Sequence, residues 1–298
     1  MKKKLLLTLH LAMLGCFAIC MLKFPEEIIA LKADVRQKII SMRNDRNSYD
    51  SFGPVSHTGE EWYSTNRLIY HAGGGIDGLT YTNSREALEH TLLQGNRIIE
   101  IDFAYTADGH LVCVRDWSDI SGQSSPLSLE DYRKLRIFGK YTPITAEELL
   151  HYMDIYEDLY IVLDTKEADS TQVVLDLIDL CGAGSTLPDR FIIQLYGGGS
   201  KELLLDAYPF ADENFLFTVY KFGADKPLEI MELCYRENIS VITVPYGRMD
   251  DKALNAFIER GFIVFEHTVN RPDDAQKSLQ KGVHGLYTDF LSPADLNP

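Results

Sequence analysis

The chain of 298 residues carries 29 Lys and Arg against 44 Asp and Glu, a formal net charge of −15, which argues against general binding to a polyphosphate backbone and so predicts no nucleic-acid partner. With 45% hydrophobic and 24% charged residues it has enough apolar material for a sizeable core, so wholesale disorder is excluded. Of the cysteines, Cys16 and Cys20 lie in an apolar N-terminal run, while Cys113, Cys181 and Cys234 lack zinc-ligand spacing; neither a disulfide framework nor a zinc site is expected.

Lys2, Lys3 and Lys4 precede a mainly apolar run over residues 5–22, which then meets Lys23, Pro25, Glu26 and Glu27. As a helix at about 1.5 Å per residue this run would measure roughly 27 Å, just enough to cross a bilayer core. Positive charge ahead of it, with no clear small-x-small cleavage site behind it, predicts an uncleaved signal anchor over residues 1–24. A cleaved signal peptide and a lipoprotein signal at Met13-Leu14-Gly15-Cys16 are the alternatives. The expected location is therefore the cytoplasmic membrane, single-pass and attached through the N-terminal helix, with the folded part on the extracytoplasmic side. Residues 25–62, helix-prone and then polar from Arg43 to Ser48, have the composition of a stalk or linker, which leaves 63–298 as the globular part.

From Arg67 onward, β-branched and aromatic runs at 68–71, 98–103, 160–164, 191–195, 215–219, 241–244, 263–266 and 285–288 alternate with amphipathic stretches. Those stretches fall at 84–93, 171–180, 201–207, 228–235, 251–260 and 273–280. The alternation predicts an α/β fold, a (β/α)8 TIM barrel. A short strand at 111–114, following the turn Asp108-Gly109, is expected to extend the second strand as a β-hairpin. The strands are nearly continuous apolar runs, as in a parallel sheet buried on both faces. An open, doubly wound sheet is the alternative, because periodicity does not distinguish an open sheet from a closed one.

In such a barrel the reacting groups sit at the C-terminal strand ends. His71 ends the first strand and is followed by Ala72-Gly73-Gly74-Gly75. Glu100 and Asp102 lie two apart on the second strand and so point the same way; Asp164 and Lys166 do the same at the third. Three carboxylates converging on a barrel mouth suit one hard divalent cation, Mg²⁺ or Ca²⁺. Lys166 beside them suits a phosphate oxygen, and His71 suits proton transfer. Each has an ordinary structural alternative: a salt-bridge network for Glu100 and Asp102, an ion pair for Asp164 and Lys166, a hydrogen-bonded core histidine for His71.

The combination and order of several motifs resemble the glycerophosphodiester phosphodiesterases. The stretches are His71-Ala72-Gly73-Gly74, Asn83-Ser84, Glu100-Ile101-Asp102 and Thr106-Ala107-Asp108-Gly109, then Leu163-Asp164-Thr165-Lys166, Ile192-Ile193-Gln194, Thr268-Val269-Asn270 and Gly285-Leu286-Tyr287-Thr288-Asp289. The resemblance spans roughly Arg67 to the C-terminus. It implies a barrel that cleaves phosphodiesters with one divalent cation and two histidines. By position, Glu100, Asp102 and Asp164 would hold the cation, Lys166 the phosphate, and His71 would be one acid/base residue. Two departures stand out. Ala72 replaces the usual Arg after the first histidine, and Arg115-Asp116 replaces the usual His-Asp pair. An arginine does not exchange protons near neutrality. Arg115 is therefore expected to bind phosphate, and His267, at the end of the seventh strand, to carry the proton to the leaving group.

The expected function is an extracytoplasmic, metal-dependent phosphodiesterase acting on a small phosphodiester, a lipid headgroup or an envelope polymer. The alternative is a degenerate member that binds a phosphodiester or phosphosugar without turnover. A glycoside hydrolase is disfavoured, since Glu100 and Asp102 are too close in sequence to flank a glycosidic bond at about 5–9 Å.

Overall fold

The computed structural model describes residues 49–57, 62–64, 66–220 and 223–296. The anchor expected over residues 1–24, and most of the stalk, lie outside the described residues. Among the described residues no helix is long and apolar enough to cross a membrane. The chain forms two compact units, residues 1–52 and 53–298. The described part of the first holds a single 3₁₀ turn, Tyr49–Ser51.

In the second unit β1 (Leu68–Tyr70) leads through a 3₁₀ turn at His71–Gly73 to α1 (Arg85–Leu93), then β2 (Ile98–Tyr105) and β3 (Leu111–Cys113). Three helices follow: α2 (Trp117–Ser121), α3 (Leu129–Lys134) and α4 (Ala146–Ile155). Strand and helix then alternate through β4 (Tyr160–Thr165), α5 (Ser170–Cys181), β5 (Phe191–Leu195), α6 (Ser200–Ala207), β6 (Phe215–Thr218) and α7 (Pro227–Arg236). The alternation ends with β7 (Val241–Pro245), α8 (Asp251–Glu259), β8 (Ile263–His267), α9 (Pro272–Gln280) and β9 (Gly285–Thr288).

Eight strands pair in parallel, and β1 closes the ring by pairing with both β9 and β2. Closure decides against the open sheet. β3 pairs antiparallel with the far end of β2, Phe103 opposite Cys113, as the predicted hairpin extension requires. Its outer face packs Val112, Val114, Trp117 and Tyr132 into a small cluster of their own.

The barrel interior is filled rather than hollow. Ile69, Ile98, Val162, Ile192, Leu216, Val241, Phe265 and Tyr287, one from each barrel strand, form a single buried layer. Trp62 and Tyr63 close it from below: the Trp62 ring stacks on Phe265 at 5.6 Å, and its indole N–H donates to the Glu213 carbonyl at 2.8 Å. The indole thus buries its flat face and still satisfies its one polar group.

Candidate active site

Strand side chains alternate with period two, so the residues two positions beyond the core layer face the same interior, one level nearer the C-terminal mouth. On β2 that residue is Glu100, with Asp102 next; on β4, β5, β6 and β8 they are Asp164, Gln194, Thr218 and His267. After β1 it is His71, which lies just past the strand in the 3₁₀ turn rather than within it. All seven residues singled out from the sequence (His71, Glu100, Asp102, Arg115, Asp164, Lys166 and His267) line one cavity of about 140 Å³ at this mouth.

The three carboxylates offer oxygens that all lie within 4.8 Å of one another. Each is held by the local fold. The buried Ala72 N–H, in a backbone with φ +51°, donates to Glu100 Oε2 at 2.6 Å. Ala72 itself is wholly buried. Asn83 grips Asp102 twice: its amide donates to Oδ2 at 2.9 Å, and its carbonyl accepts the Asp102 N–H at 3.1 Å. Asp164 accepts from the Thr165 N–H at 2.6 Å, from the Tyr196 hydroxyl, and from Lys166 Nζ at 3.0 Å.

Burial, and next the charge of Asp102, push the Glu100 carboxyl well above the usual carboxylate range. Burial and Asp164 likewise raise Asp102 to about 6. Glu100 Oε1 is buried and has no hydrogen-bond partner among the described residues. A crowded set of hard oxygen donors, one of them orphaned, fits a divalent cation such as Mg²⁺ or Ca²⁺.

Around the carboxylates stand the groups able to bind anions or move protons. His71 Nδ1 lies 3.0 Å from Asp289 Oδ1, and Asp289 is itself fixed by Asn270, whose amide donates to Oδ2 at 2.7 Å. This chain orients the imidazole, with Nε2 4.0 Å from Glu100 Oε2. Burial opposes charge on His71, but Glu100 and Asp289 outweigh it and raise the pKa to about 9. Arg115 lays its guanidinium over the Tyr81 ring at 4.1 Å, and that ring meets His71 edge-on at 4.5 Å. For Lys166 burial also opposes charge, yet Asp164 holds its pKa above the usual value. His267 Nδ1 lies 2.8 Å from Thr243 Oγ1; burial, then the charge of His71, lower its pKa to about 4.

Asn83, Gln194, Thr268, Asn270, Tyr287 and Asp289 belong to the motifs of the resemblance, which attach no role to them; Gln194, Thr268 and Tyr287 line the cavity. Tyr81, Tyr196, Thr218 and Tyr220 complete the lining, and the sequence does not single them out. For Gln194 the strand period adds a second signal: it is the polar residue two beyond the core position Ile192 in an otherwise apolar run. The tyrosines carry no such signal, since the chain has 16 of them.

No protein-family model matches the sequence, and no curated protein does either. Solved structures do match. A phosphodiesterase of Oleispira antarctica, in complex with the product sn-glycerol-3-phosphate, superposes with a TM-score of 0.63 at 17% identity, covering 80% of this chain and 98% of that one. The glycerophosphodiester phosphodiesterase of Thermotoga maritima gives 0.58 at 18%, covering 78% and 96%. One from Parabacteroides distasonis gives 0.55 at 20%, covering 77% and 84%. The fold is that of the glycerophosphodiester phosphodiesterases. It agrees with the resemblance carried by the motifs, and at this identity the fold is what the likeness establishes.

Proposed function

We propose that this protein is a metal-dependent phosphodiesterase of the glycerophosphodiester phosphodiesterase family, acting on glycerophosphodiesters or related diesters of lipids or envelope polymers. The observation that carries the proposal is the convergence of Glu100, Asp102 and Asp164 on one cavity with Lys166, Arg115, His71 and His267. The product held by the O. antarctica phosphodiesterase, a protein of the same fold, supports a small phosphodiester as the substrate type. Placement outside the cytoplasm, attached through residues 1–24, rests on the lysines ahead of the apolar run.

Glu100, Asp102 and Asp164 would hold the cation, whose positive charge polarises a phosphoryl oxygen. Lys166 and Arg115 bind the phosphate and offset the negative charge that develops on it. Arg115 offers planar paired N–H groups for two phosphate oxygens, and the Tyr81 face keeps the guanidinium in place. Two residues lining the cavity exchange protons. His267, neutral at pH 7 because it is buried, takes a proton from the attacking water or hydroxyl, rather than giving one as expected from sequence. His71, fixed by Asp289, then serves the leaving-group oxygen.

Release of glycerol phosphate from glycerophosphodiesters, followed with Mg²⁺, with Ca²⁺ and after chelation, tests this. We expect metal-dependent turnover that falls about 10²–10⁴-fold in His71→Ala and His267→Ala. Folded protein inactive with either cation on every diester would overturn it. The motif resemblance supports a second reading: by position Arg115 replaces the family's second histidine, and the site would then bind a phosphodiester without cleaving it. Arg115→His decides between them. A recruited Arg115 predicts a loss of kcat/KM of at least about tenfold, whereas a degenerate site predicts a large gain.

A further inference from the structure

Past the carboxylates, the groups assigned to phosphate and protons lie on and around β1, β2, β4 and β8. The lining contributed by β5, β6 and the residues just after them is of a different kind: Gln194, Tyr196, Thr218 and Tyr220. Nothing in the reaction as described uses Gln194, Thr218 or Tyr220.

Tyr196 and Tyr220 stack face to face, with ring centroids 5.0 Å apart and planes 18° from parallel. Tyr196 is tied through its hydroxyl to Asp164, which fixes the inner ring of the pair against the carboxylate cluster. Tyr220 is the outer ring and is 50% exposed. Beside them, Thr218 Oγ1 donates to Gln194 Oε1 at 2.6 Å. That bond orients the Gln194 amide, whose NH₂ is a donor suited to a hydroxyl oxygen.

A rigid flat apolar ring beside hydroxyl-directed polar groups is suited to a sugar ring, whose axial C–H groups present an apolar face and whose rim carries hydroxyls. It is poorly suited to a quaternary ammonium, which is held by several rings set at angles around the charge. Here the Tyr196 and Tyr220 rings are parallel, and Lys166 places a cation in the same cavity. An open-chain glyceryl or ethanolamine group would leave the ring face uncovered.

We propose that Tyr220, backed by Tyr196 and flanked by Gln194 and Thr218, binds the hexose ring of a sugar phosphodiester, so that the substrate is a hexosyl diester rather than a wholly open-chain one. This rests on the phosphodiesterase reading of the same cavity and narrows it.

The test compares a hexosyl glyceryl phosphodiester with glycerophosphoethanolamine, using the full chain with Mg²⁺ or Ca²⁺. The wild type favours the hexosyl diester in kcat/KM. Tyr220→Ala lowers that preference ratio by about tenfold, chiefly through KM for the hexosyl diester, and Tyr220→Phe retains it. Tyr220→Leu, which keeps apolar bulk without the flat ring, loses it like Tyr220→Ala. Direct calorimetric binding of a hexose 1-phosphate separates this proposal from the one it rests on. No turnover of either diester, with Tyr220-dependent binding of the hexose phosphate, supports the sugar site while sinking the phosphodiesterase. Metal-dependent turnover with a ratio untouched by Tyr220→Ala overturns the sugar site and leaves the phosphodiesterase standing.

Discussion

At the residue scale the site is organised by what grips each carboxylate. Asn83, itself at φ +45°, holds Asp102 by its side chain and its backbone, while the Ala72 N–H takes one oxygen of Glu100. The other Glu100 oxygen is left buried and unpartnered. The price of such crowding is repulsion among like charges, which shows as raised pKa values for Glu100 and Asp102. The pH dependence follows from the sign. Asp102 is raised from 3.8 to about 6, so the folded chain binds its proton more tightly than the unfolded chain. The corresponding stability is fully present below about 4 and is lost as the pH rises through 6. A bound cation relieves the repulsion only where the carboxylates are ionised. We therefore expect the rise in melting temperature on adding Mg²⁺ or Ca²⁺ to be larger at pH 7.5 than at pH 5, read by calorimetry. An equal or larger rise at pH 5 would contradict this account of the carboxylate cluster.

The same scale shows why some site residues were legible in the sequence and others were not. His71, Glu100, Asp102, Asp164 and Lys166 are polar interruptions in or just after apolar strands, and period two places them on one interior face. Tyr81, Tyr196 and Tyr220 sit in the connections, where a tyrosine is as readily packing as function. Their importance appears only through what they touch in space, Arg115 and His71 for the first and Asp164 and each other for the pair.

At the element scale the barrel strands were readable because each is a buried run bounded by turns. β5 and β9 fall on the expected residues, and β2 runs two residues further because it must also pair with β3. The segment between β3 and β4 was not resolved into helices beforehand, although α4 has a clear start signal. Thr145 and Glu148 form a reciprocal capping box, the Thr145 hydroxyl accepting the Glu148 N–H and the Glu148 carboxylate accepting the Thr145 N–H. Thr145→Ala should lower unfolding free energy by about 1 kcal/mol, with Thr145→Ser recovering most of it, as measured by urea denaturation. No change in Thr145→Ala would show that α4 is held by packing alone. α2 and α3, of five and six residues, are too short for periodicity to mark and owe their position to the cluster around Trp117 and Tyr132.

At the scale of the whole unit, the closed barrel separates two tasks. One buried layer, contributed strand by strand and closed below by Trp62 and Tyr63, supplies stability. The level above it carries the polar residues, and the loops beyond add Arg115, Tyr81 and Tyr220. Closure itself was not legible, since it depends on β1 meeting β9, a pairing between strands more than two hundred residues apart in the chain, in register from Leu68 with Leu286 to Tyr70 with Thr288. The match to solved phosphodiesterases at 17–20% identity fits this division, because a barrel constrains where residues point far more than which residues they are. The net charge of −15 would oppose an anionic substrate at long range, so on the proposed function capture would depend on the local cations Lys166 and Arg115.

The most direct test of the central claim is hydrolysis of an activated phosphodiester by the full chain, with Mg²⁺ or Ca²⁺ and with a chelator, beside Glu100→Gln. Glu100 is chosen because its buried Oε1 has no hydrogen-bond partner among the described residues and so is free for a cation. The account predicts turnover that needs the cation, is abolished by chelation and is lost in folded Glu100→Gln protein. Turnover that survives both chelation and the substitution would contradict it.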